Sequence, residues 1–344
     1  MRARELIFGG LAVVLLVAYI GLGQRVAPLL LPGAAATPPP ARPTGKVAAP
    51  MINGNIAFVL RGDVFVLNNG HYAPRTEEGR STTPSISPDG QTLYFARVEE
   101  IEGRREVDGS VVNARLGFSN IVRKPVGGGS EDILVNGLVK NASGFHQVKW
   151  YGAPAASPDG KRLALIEADP DGSSDLVLYD FGTKLIKILS NGADWADPAW
   201  SPDGKTIVVT SYDDGPPTLL LKPADGVSRS TPLKGLPDGE LYRASFSADG
   251  KWLIYTLRRN GKNDVHAYEI TTSRDIALTT DGQSWNPVFS PDGAQLAFLR
   301  AQGYSIDLWV MDLGGALGGG APKSVVKITN GEGIDGADRP SWSR

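Results

Sequence analysis

The sequence predicts an all-β fold, a six-bladed β-propeller whose closing blade is shared between the two ends of the domain. Three observations lead to this prediction: a serine-centred turn motif recurs, apolar segments flank each copy, and the chain ends inside the motif. Successive motif serines are 70, 44, 46, 43 and 53 residues apart, at Ser87, Ser157, Ser201, Ser247, Ser290 and Ser343. A repeat of about 45 residues is typical of propellers, in which each repeat forms one four-stranded blade.

Each repeat contains the signals of four antiparallel strands. In "SPDG" the proline presets φ and the glycine takes a positive φ, so the motif predicts a tight turn between a first and a second strand. The second strand carries three consecutive apolar residues, as at Ile207, Val208 and Val209, which indicates burial on both faces. A third segment such as "TLLLKP" from Thr218 and a weaker fourth such as "SVVKITNG" from Ser324 complete the blade.

The last repeat is incomplete at the C-terminus. The closing "SWSR" supplies only a first strand, whereas Ile56, Ala57 and Phe58 match the second strand near the other end of the domain. "DVFVLN" from Asp63 matches the third strand, and "HYAPRTEEG" from His71 matches the fourth. The sequence therefore predicts that the C-terminal strand closes the ring by pairing with Ile56–Leu60.

The first fifty residues have a different composition from the repeats. An apolar run of 18 residues, Leu6–Gly23, follows Arg2 and Arg4, and this predicts a signal-anchor over residues 1–23 with a transmembrane segment at 6–23. Residues 24–50 form a Pro/Ala-rich linker, and the propeller occupies residues 51–344. We expect a single-pass protein of the cell membrane with its propeller outside the cytoplasm. The alternative is a secreted protein, cleaved as a signal peptide near Ala34 and Ala36.

Composition narrows the functional classes. Lys plus Arg is 35 and Asp plus Glu is 37, a balance that argues against nucleic-acid binding. The chain has no cysteine, which excludes disulfides and thiolate chemistry. The three histidines, His71, His146 and His266, form no local ligand pair, so no metal or cofactor is predicted. Asp264 shares a strand face with His266 and could orient its imidazole, although an ordinary packed strand residue is the simpler interpretation.

The loops that lead into the first strands carry the candidate binding site. In a propeller these loops converge on one end of the central channel, and aromatic residues next to arginine are a composition typical of binding hot spots. The predicted partner-binding residues are Trp150, Tyr151, Trp195, Asp197, Tyr242, Arg243, Trp285, Asn286 and Arg339. Two alternatives remain open: the tryptophans Trp195 and Trp285 serve blade packing, or the enlarged loop Glu99–Asn120 is the contact element.

The repeats resemble those of the TolB-type β-propeller family, as "DPAWSPDGKTIVV" from Asp197 and "NPVFSPDGAQLAF" from Asn286 illustrate. This resemblance covers residues 51–344 and implies a bacterial protein, exported or membrane-tethered, that binds a protein, peptide or envelope polymer such as a glycan without chemistry. The alternative is a propeller enzyme, a lyase, lactonase or glycan-active hydrolase, with its site in the channel. That function requires histidines and carboxylates to converge, and the channel positions offer Asp197, Asp335 and Asp338 but few histidines.

The anchor interpretation leads to a prediction about topology. A reporter enzyme fused after Arg344 should be active outside the cytoplasm, because the basic residues precede the apolar run. N-terminal sequencing of the mature protein should begin at Met1 or Arg2. A mature protein that begins at Thr37 would instead show cleavage after the Ala34–Ala36 site.

Overall fold

The structure is a computed structural model that describes residues 45–46, 52–107, 110–140, 146–168, 173–190, 192–213 and 215–344. Within these residues the regular elements are strands, apart from one short 3-10 turn at Ala316–Gly318. In chain order the strands are β1 (Gly45–Lys46), β2 (Asn55–Leu60), β3 (Asp63–Asn68), β4 (His71–Pro74), β5 (Ser81–Ile86), β6 (Thr92–Val107), β7 (Ser110–Pro125), β8 (Asp132–Val135), β9 (Leu138–Lys140), β10 (His146–Val148), β11 (Trp150–Ala156), β12 (Arg162–Ala168), β13 (Ser174–Asp180), β14 (Ile186–Ile188), β15 (Trp195–Trp200), β16 (Thr206–Ser211), β17 (Thr218–Pro223), β18 (Thr231–Pro232), β19 (Glu240–Phe246), β20 (Trp252–Arg259), β21 (Lys262–Glu269), β22 (Arg274–Ala277), β23 (Ser284–Phe289), β24 (Gln295–Gln302), β25 (Ser305–Asp312), β26 (Ser324–Lys327) and β27 (Ser341–Ser343).

The strands form an all-β propeller, as the sequence predicts, but not six separate blades. Four sheets hold one repeat each: β1-β4-β3-β2-β27, β15-β16-β17-β18, β19-β20-β21-β22 and β23-β24-β25-β26. The remaining two repeats share an eight-stranded sheet, β14-β13-β12-β11-β7-β6-β5, in which β8 also pairs with β7. The two repeats are joined because Ser119, within β7, forms a parallel bridge with Trp150 of β11.

The predicted transmembrane segment at 6–23 and most of the linker at 24–50 lie outside the described residues. In the part of the chain that the structure describes, no helix has the length and apolar character needed to cross a membrane. Two linker residues, Gly45 and Lys46, form β1 on the outer edge of β4. The sheet that contains the closing strand therefore also begins with the linker.

The turn motif is held together by its own side chains. Ser201 Oγ donates to Asp203 Oδ1 at 2.6 Å, and the N–H of Thr206 donates to Ser201 Oγ at 3.0 Å. Gly204 has a φ of 68°, which favours glycine at this position. The hydrogen bond from the serine also lowers the pKa of Asp203. The same contacts recur at the turns that begin with Ser87, Ser157, Ser247 and Ser290.

A second recurrent contact directs the chain from one repeat into the next. Asp264, at the start of the third strand, accepts hydrogen bonds from Thr279 Oγ1 at 3.1 Å and from the N–H of Gly282 at 3.0 Å. The same geometry joins Asp63 to Thr76 and Gly79, Asp175 to Ser190 and Gly192, and Asp307 to Thr329 and Gly331. These contacts fix where each loop enters the following first strand, and so they position the candidate site.

The apolar core lies between neighbouring repeats. Ile207 and Val209 pack in the cluster on one side of β16, whereas Val208 packs in the cluster on its other side. This arrangement explains three consecutive apolar residues in each second strand, because both faces of the sheet are covered. Trp342 joins the cluster that contains Ile56 of the first repeat and Val310 of the preceding one.

The ring closes through the strand pair that the sequence predicts. β27 runs antiparallel to β2, with Ile56 opposite Trp342 and Ala57 opposite Ser341. The indole N–H of Trp342 donates to the carbonyl of Asn53 at 2.8 Å, and the indole ring is 8% exposed. Pairing across the closure removes two sheet edges that would otherwise be open.

Deletion of residues 339–344 should therefore destabilise the domain by several kcal/mol. Loss of a buried tryptophan alone costs about 3–5 kcal/mol. Thermal denaturation followed by circular dichroism measures the effect, and we expect the melting temperature to fall by on the order of 10 °C. The matched variant Trp342→Phe keeps a ring in the core and should lose much less. A truncated domain that melts within about one degree of the intact chain would contradict closure by β27.

Candidate functional site

The candidate site lies where the six first strands approach the channel. We call "the mouth" the channel end on which the loops leading into β5, β11, β15, β19, β23 and β27 converge. The turn motifs lie at the other end of each blade, since they follow the first strand. At the mouth end, backbone bonds join the loop that enters a first strand to the end of the second strand of the same blade: the N–H of Tyr212 donates to Asp194 at 2.8 Å, and that of Arg61 donates to Gly333 at 3.1 Å.

A β-bulge in the first strands determines which side chains reach the mouth. The register of five first strands shifts at this point. The bulged residues have φ values of 48° to 55° although none is a glycine; they are Thr83, Ala153, Asp197, Arg243 and Asn286. A bulge turns a side chain out of the strand alternation and is common next to functional sites. A left-handed conformation of this kind stores strain that the surroundings must offset.

Neighbouring repeats stabilise four of the five bulges through their backbone N–H groups. The N–H of Arg243 donates to Thr210 Oγ1 at 3.1 Å, and the N–H of Asn286 donates to Thr256 Oγ1 at 2.9 Å. Both threonines are almost fully buried in the preceding repeat. The N–H of Thr83 donates to Asp338 Oδ1 at 2.8 Å. The strained backbone at the mouth thus depends on contacts between repeats.

Four of the predicted site residues meet at one place, and we call them the mouth cluster: Asp197, Arg243, Asn286 and Arg339. Arg243 Nε lies 3.3 Å from the carboxylate of Asp197, and Arg243 Nη1 donates to Asn286 Oδ1 at 2.9 Å. Arg339 Nη1 donates to the carbonyl of Ala244 at 2.8 Å, and Nη2 donates to that of Pro198 at 3.2 Å. Residues from four repeats therefore meet at the mouth.

Burial perturbs the pKa of one member of the cluster, Arg339, and of two carboxylates near it, Asp338 and Asp335. Burial raises the pKa of Asp338 to about 6, although the carboxylate accepts hydrogen bonds from Thr82 Oγ1 at 2.5 Å and from the N–H of Thr83. Burial also lowers the pKa of the Arg339 guanidinium. Asp335, whose Oδ2 accepts from the N–H of Gly62 at 2.8 Å, has a pKa raised by burial as well.

The predicted aromatic residues divide into two groups. Trp195 and Tyr151 are only 6% and 4% exposed, and Trp195 donates its indole N–H to Asp213 Oδ2 at 2.6 Å. These two rings belong to the packing between repeats. Trp150, Tyr242 and Trp285 are only partly buried and keep ring surface available to a partner.

The three partly buried rings are held by polar or close contacts. Trp285 donates its indole N–H to the carbonyl of Gly336 at 2.8 Å. The hydroxyl of Tyr242 donates to Glu240 Oε2. Trp150 lies so close to Gly117 that a side chain there would come within 2.7 Å of the indole ring. Each ring is therefore held in a fixed orientation by the domain itself.

The enlarged loop at Glu99–Asn120 is a long two-stranded ribbon beside the mouth. β6 and β7 pair continuously from Thr92 opposite Pro125 to Val107 opposite Ser110. Ser119 anchors the base of the ribbon, because its Oγ donates to the carbonyl of Tyr151 at 2.7 Å. A second, shorter hairpin, β9–β10, lies next to it in sequence. The ribbon and the hairpin make one side of the mouth higher than the others.

The carboxylate that contacts His266 is Asp275, and not Asp264, which the sequence left as a possible partner. Asp264 holds Thr279 and Gly282, whereas His266 Nδ1 lies 2.8 Å from Asp275 Oδ2. Asp275 also accepts a hydrogen bond from the hydroxyl of Tyr255 at 2.6 Å. The two residues pair between β21 and β22, away from the mouth. Among the described residues, no three histidine, aspartate or glutamate side chains are grouped as metal ligands.

Sequence reasoning missed the threonines that support the mouth. Thr82, Thr210 and Thr256 each bond a mouth residue from another repeat or from the closing loop. For Thr210 and Thr256, the one sequence feature that could have identified them is that each directly follows the three consecutive apolar residues of a second strand. Tyr212, whose ring centroid is 6.3 Å from that of Tyr242, was missed as well.

The raised pKa of Asp338 predicts a distinct dependence of stability on pH. Its folded pKa is about 6 and its ordinary value is 3.8, so between these values the folded state binds more protons than the unfolded state. Stability should therefore fall as pH rises through this window, by at most about 3 kcal/mol. Urea denaturation at pH 5 and pH 7 measures the difference.

The variant Asp338→Asn should remove the part of this dependence that Asp338 contributes, because the amide oxygen still accepts a hydrogen bond but the side chain no longer ionises. Asp335, whose pKa burial also raises, contributes to the same dependence and still ionises in this variant. The turn aspartates have lowered pKa values and titrate below the window, so they contribute little to it. An unchanged pH dependence in Asp338→Asn would show that another group is responsible.

Comparison with known proteins places this architecture in a family. Residues 133–344 match the family described as the TolB beta propeller domain. A TolB homolog from Chlorobium luteolum is 25% identical over 246 residues, which cover 71% of this chain and 42% of that protein. A Tol-Pal system protein TolB from Francisella tularensis is 29% identical over 114 residues, 32% of this chain and 24% of that protein. The chain thus matches less than half the length of these two relatives.

Solved structures show the same fold. The crystal structure of TolB from Acinetobacter baumannii superimposes with a TM-score of 0.64 and 20% identity, over 84% of this chain and 66% of that one. A putative TolB from Agrobacterium tumefaciens gives a TM-score of 0.58 and 18% identity, over 84% of this chain and 92% of that one. With the match to the family over more than half of its length, the chain belongs to the TolB β-propeller domain family.

Proposed function

We propose that this chain is a non-catalytic binding protein whose mouth captures a segment of a protein partner. The observation that carries the proposal is the mouth cluster, which brings Asp197, Arg243, Asn286 and Arg339 together from four repeats. Partly exposed rings surround it, and rings beside arginines are typical of binding hot spots. In this proposal the eight-stranded sheet acts as two blades, so that six blades surround the channel.

The charge of the mouth favours a protein or peptide over an anionic polymer. Arg243 pairs with Asp197, and the two arginines of the mouth, Arg243 and Arg339, equal in number the carboxylates Asp197 and Asp338, so the charges nearly cancel. Both Nη atoms of Arg339 donate to backbone carbonyls. The guanidinium is therefore poorly placed for bidentate binding of a phosphate or sulfate. An uncharged envelope glycan is the second ligand class that such a surface suits, and the experiment below distinguishes it.

The carboxylates at the mouth support binding better than catalysis. Asp197 pairs with Arg243, and Asp338 holds Thr82 and the backbone of Thr83. Both groups therefore have structural roles, and the His266–Asp275 pair lies on outer strands away from the channel. We assign no reaction to the mouth.

The relatives suggest where this binding takes place. One of them is named as a protein of the Tol-Pal system, and we propose that the partner is a component of such a system. The propeller would work outside the cytoplasm, tethered through residues 6–23 or released after cleavage. This chain covers only part of the length of those relatives. That it shares the role of the full-length relatives is therefore also a proposal.

Site-specific photo-crosslinking tests the mouth directly. A photoreactive amino acid is introduced at Tyr242 or Trp150, both partly exposed at the mouth, and cells are irradiated before the envelope proteins are separated. We expect one discrete protein adduct from each position. Mass spectrometry of the adduct identifies a protein partner. If the increase in apparent mass on the gel is removed by glycosidase but not by protease, the crosslinked partner is a glycan.

The matched control positions are Lys161 and Lys205, which are exposed at turn motifs at the opposite end of the blades. They should give no adduct with the same protein. Equal yields from both ends, or no adduct at the mouth, would contradict the proposed site. Trp195 is unsuitable for this experiment, because its buried ring packs between repeats and its removal would destabilise the domain.

A further inference from the structure

The outer strand β14 presents an exposed apolar edge on the rim of the propeller. It is the terminal strand of its sheet and pairs on one side only, with β13. Its three residues and the preceding leucine include large apolar side chains with high exposure: Leu185 is 68% exposed, Ile188 55% and Ile186 37%. Uncovered apolar edges are rare in soluble proteins because they recruit other strands.

The other outer strands of the described sheets carry the protection that β14 lacks. β1 covers β4, and β18 has two residues and ends at Pro232. On β22 the guanidinium of Arg274 bonds the carbonyl of Leu317 and faces Glu269. β26 contains Lys327, which pairs with Asp307, and β8 begins at Asp132, which pairs with Arg123. Among the described outer strands, β8 also exposes one isoleucine, Ile133, but only β14 exposes two isoleucines next to an exposed leucine.

The backbone of β14 is arranged for strand addition. The N–H of Asp180 donates to Leu185, the N–H of Leu189 donates to Leu176, and Lys187 lies opposite Leu178. In an antiparallel ladder, the residues that alternate with these hydrogen-bonded positions point their N–H and C=O groups away from the partner strand. Ile186 and Ile188 therefore direct their backbone donors and acceptors to the free edge.

A loop of the next repeat extends this apolar surface. Gly226 lies so close to β14 that a side chain there would come within 2.5 Å of Lys187 Cε. Lys187 Nζ donates to the carbonyl of Asp225 at 2.8 Å, and the adjacent Val227 is 84% exposed. An added strand would thus meet apolar side chains on both of its faces.

We propose that β14 binds an extended segment of another polypeptide by antiparallel strand addition, and that this segment reads apolar–acidic–apolar. The two apolar residues would lie opposite Ile186 and Ile188, and the acidic residue opposite Lys187. Lys187 and its neighbour Lys184 have no carboxylate partner among the described residues, so the edge favours an acidic side chain. This site is on the outer rim and is independent of the mouth.

The charge of Lys187 also argues against a second copy of this chain as the occupant. A two-fold register that pairs both isoleucines of β14 places Lys187 directly opposite the Lys187 of the other copy. Such residues form a non-hydrogen-bonded pair, in which side chains approach most closely and like charges are destabilising. A foreign strand with a central carboxylate avoids this repulsion.

A charge-exchange experiment tests the proposal. Two labelled peptides are titrated against the full chain by fluorescence anisotropy, one with the core Thr-Val-Glu-Val-Thr and one with lysine in place of glutamate. The acidic peptide should bind the wild type about tenfold more tightly than the basic peptide, and Lys187→Glu should reverse this order. The same charge change at the remote turn, Lys205→Glu, should leave the order unchanged.

The backbone contacts are tested separately. Ile188→Pro removes an outward N–H without breaking a bond to β13, and it should abolish binding of the acidic peptide while the melting temperature stays close to that of the wild type. Hydrogen exchange should show that the peptide protects the amides of Ile186 and Ile188. Equal binding of both peptides, unprotected amides, or a dimer in sedimentation that Ile188→Pro dissolves would each overturn the proposal.

Discussion

The pairing of β27 with β2 is the constraint on which the rest of the molecule depends. The repeats bury their apolar residues only against neighbours, so the first and last repeats need each other as much as any internal pair does. Trp342 contributes to this closure twice, through its ring in the core and through its bond to Asn53. The closing segment also brings Asp338 and Arg339 to the mouth, so ring closure and site assembly share the same few residues.

Two recurrent hydrogen-bond patterns give the repeats the same local structure. They also explain why the serine and aspartate residues that recur from repeat to repeat are not functional sites. The serine and aspartate of each turn motif bond each other and the turn backbone. The aspartate that begins a third strand bonds a threonine or serine and a glycine in the loop that follows the blade. Their side chains are engaged inside the repeat. Function therefore depends on positions where the repeats differ.

The mouth is such a position. The bulged residues hold the same strained conformation in five repeats, yet their side chains are threonine, alanine, aspartate, arginine and asparagine. The same β-bulge thus places a different side chain from each of these repeats at the mouth. Threonines from adjacent repeats bond the backbone at three of these bulges, which lets non-glycine residues keep a positive φ there. The rim differs among repeats in the same way, since β14 and the residues before it combine exposed leucine and isoleucine side chains with lysines that have no carboxylate partner among the described residues.

The sequence by itself determined the repeat, the turns, the buried second strands and the strand pair that closes the ring, because each of these depends on local periodicity and turn chemistry. It also predicted that Asp197, Arg243, Asn286 and Arg339 lie near one another. Residues before proline are expected to be extended, so the positive φ of Thr83, Asp197 and Asn286 was not predictable. Only the tertiary structure decided that Trp195 packs between repeats, that Asp275 rather than Asp264 pairs with His266, and that two repeats share one sheet. These outcomes depend on contacts between residues far apart in the chain, and no local pattern encodes them.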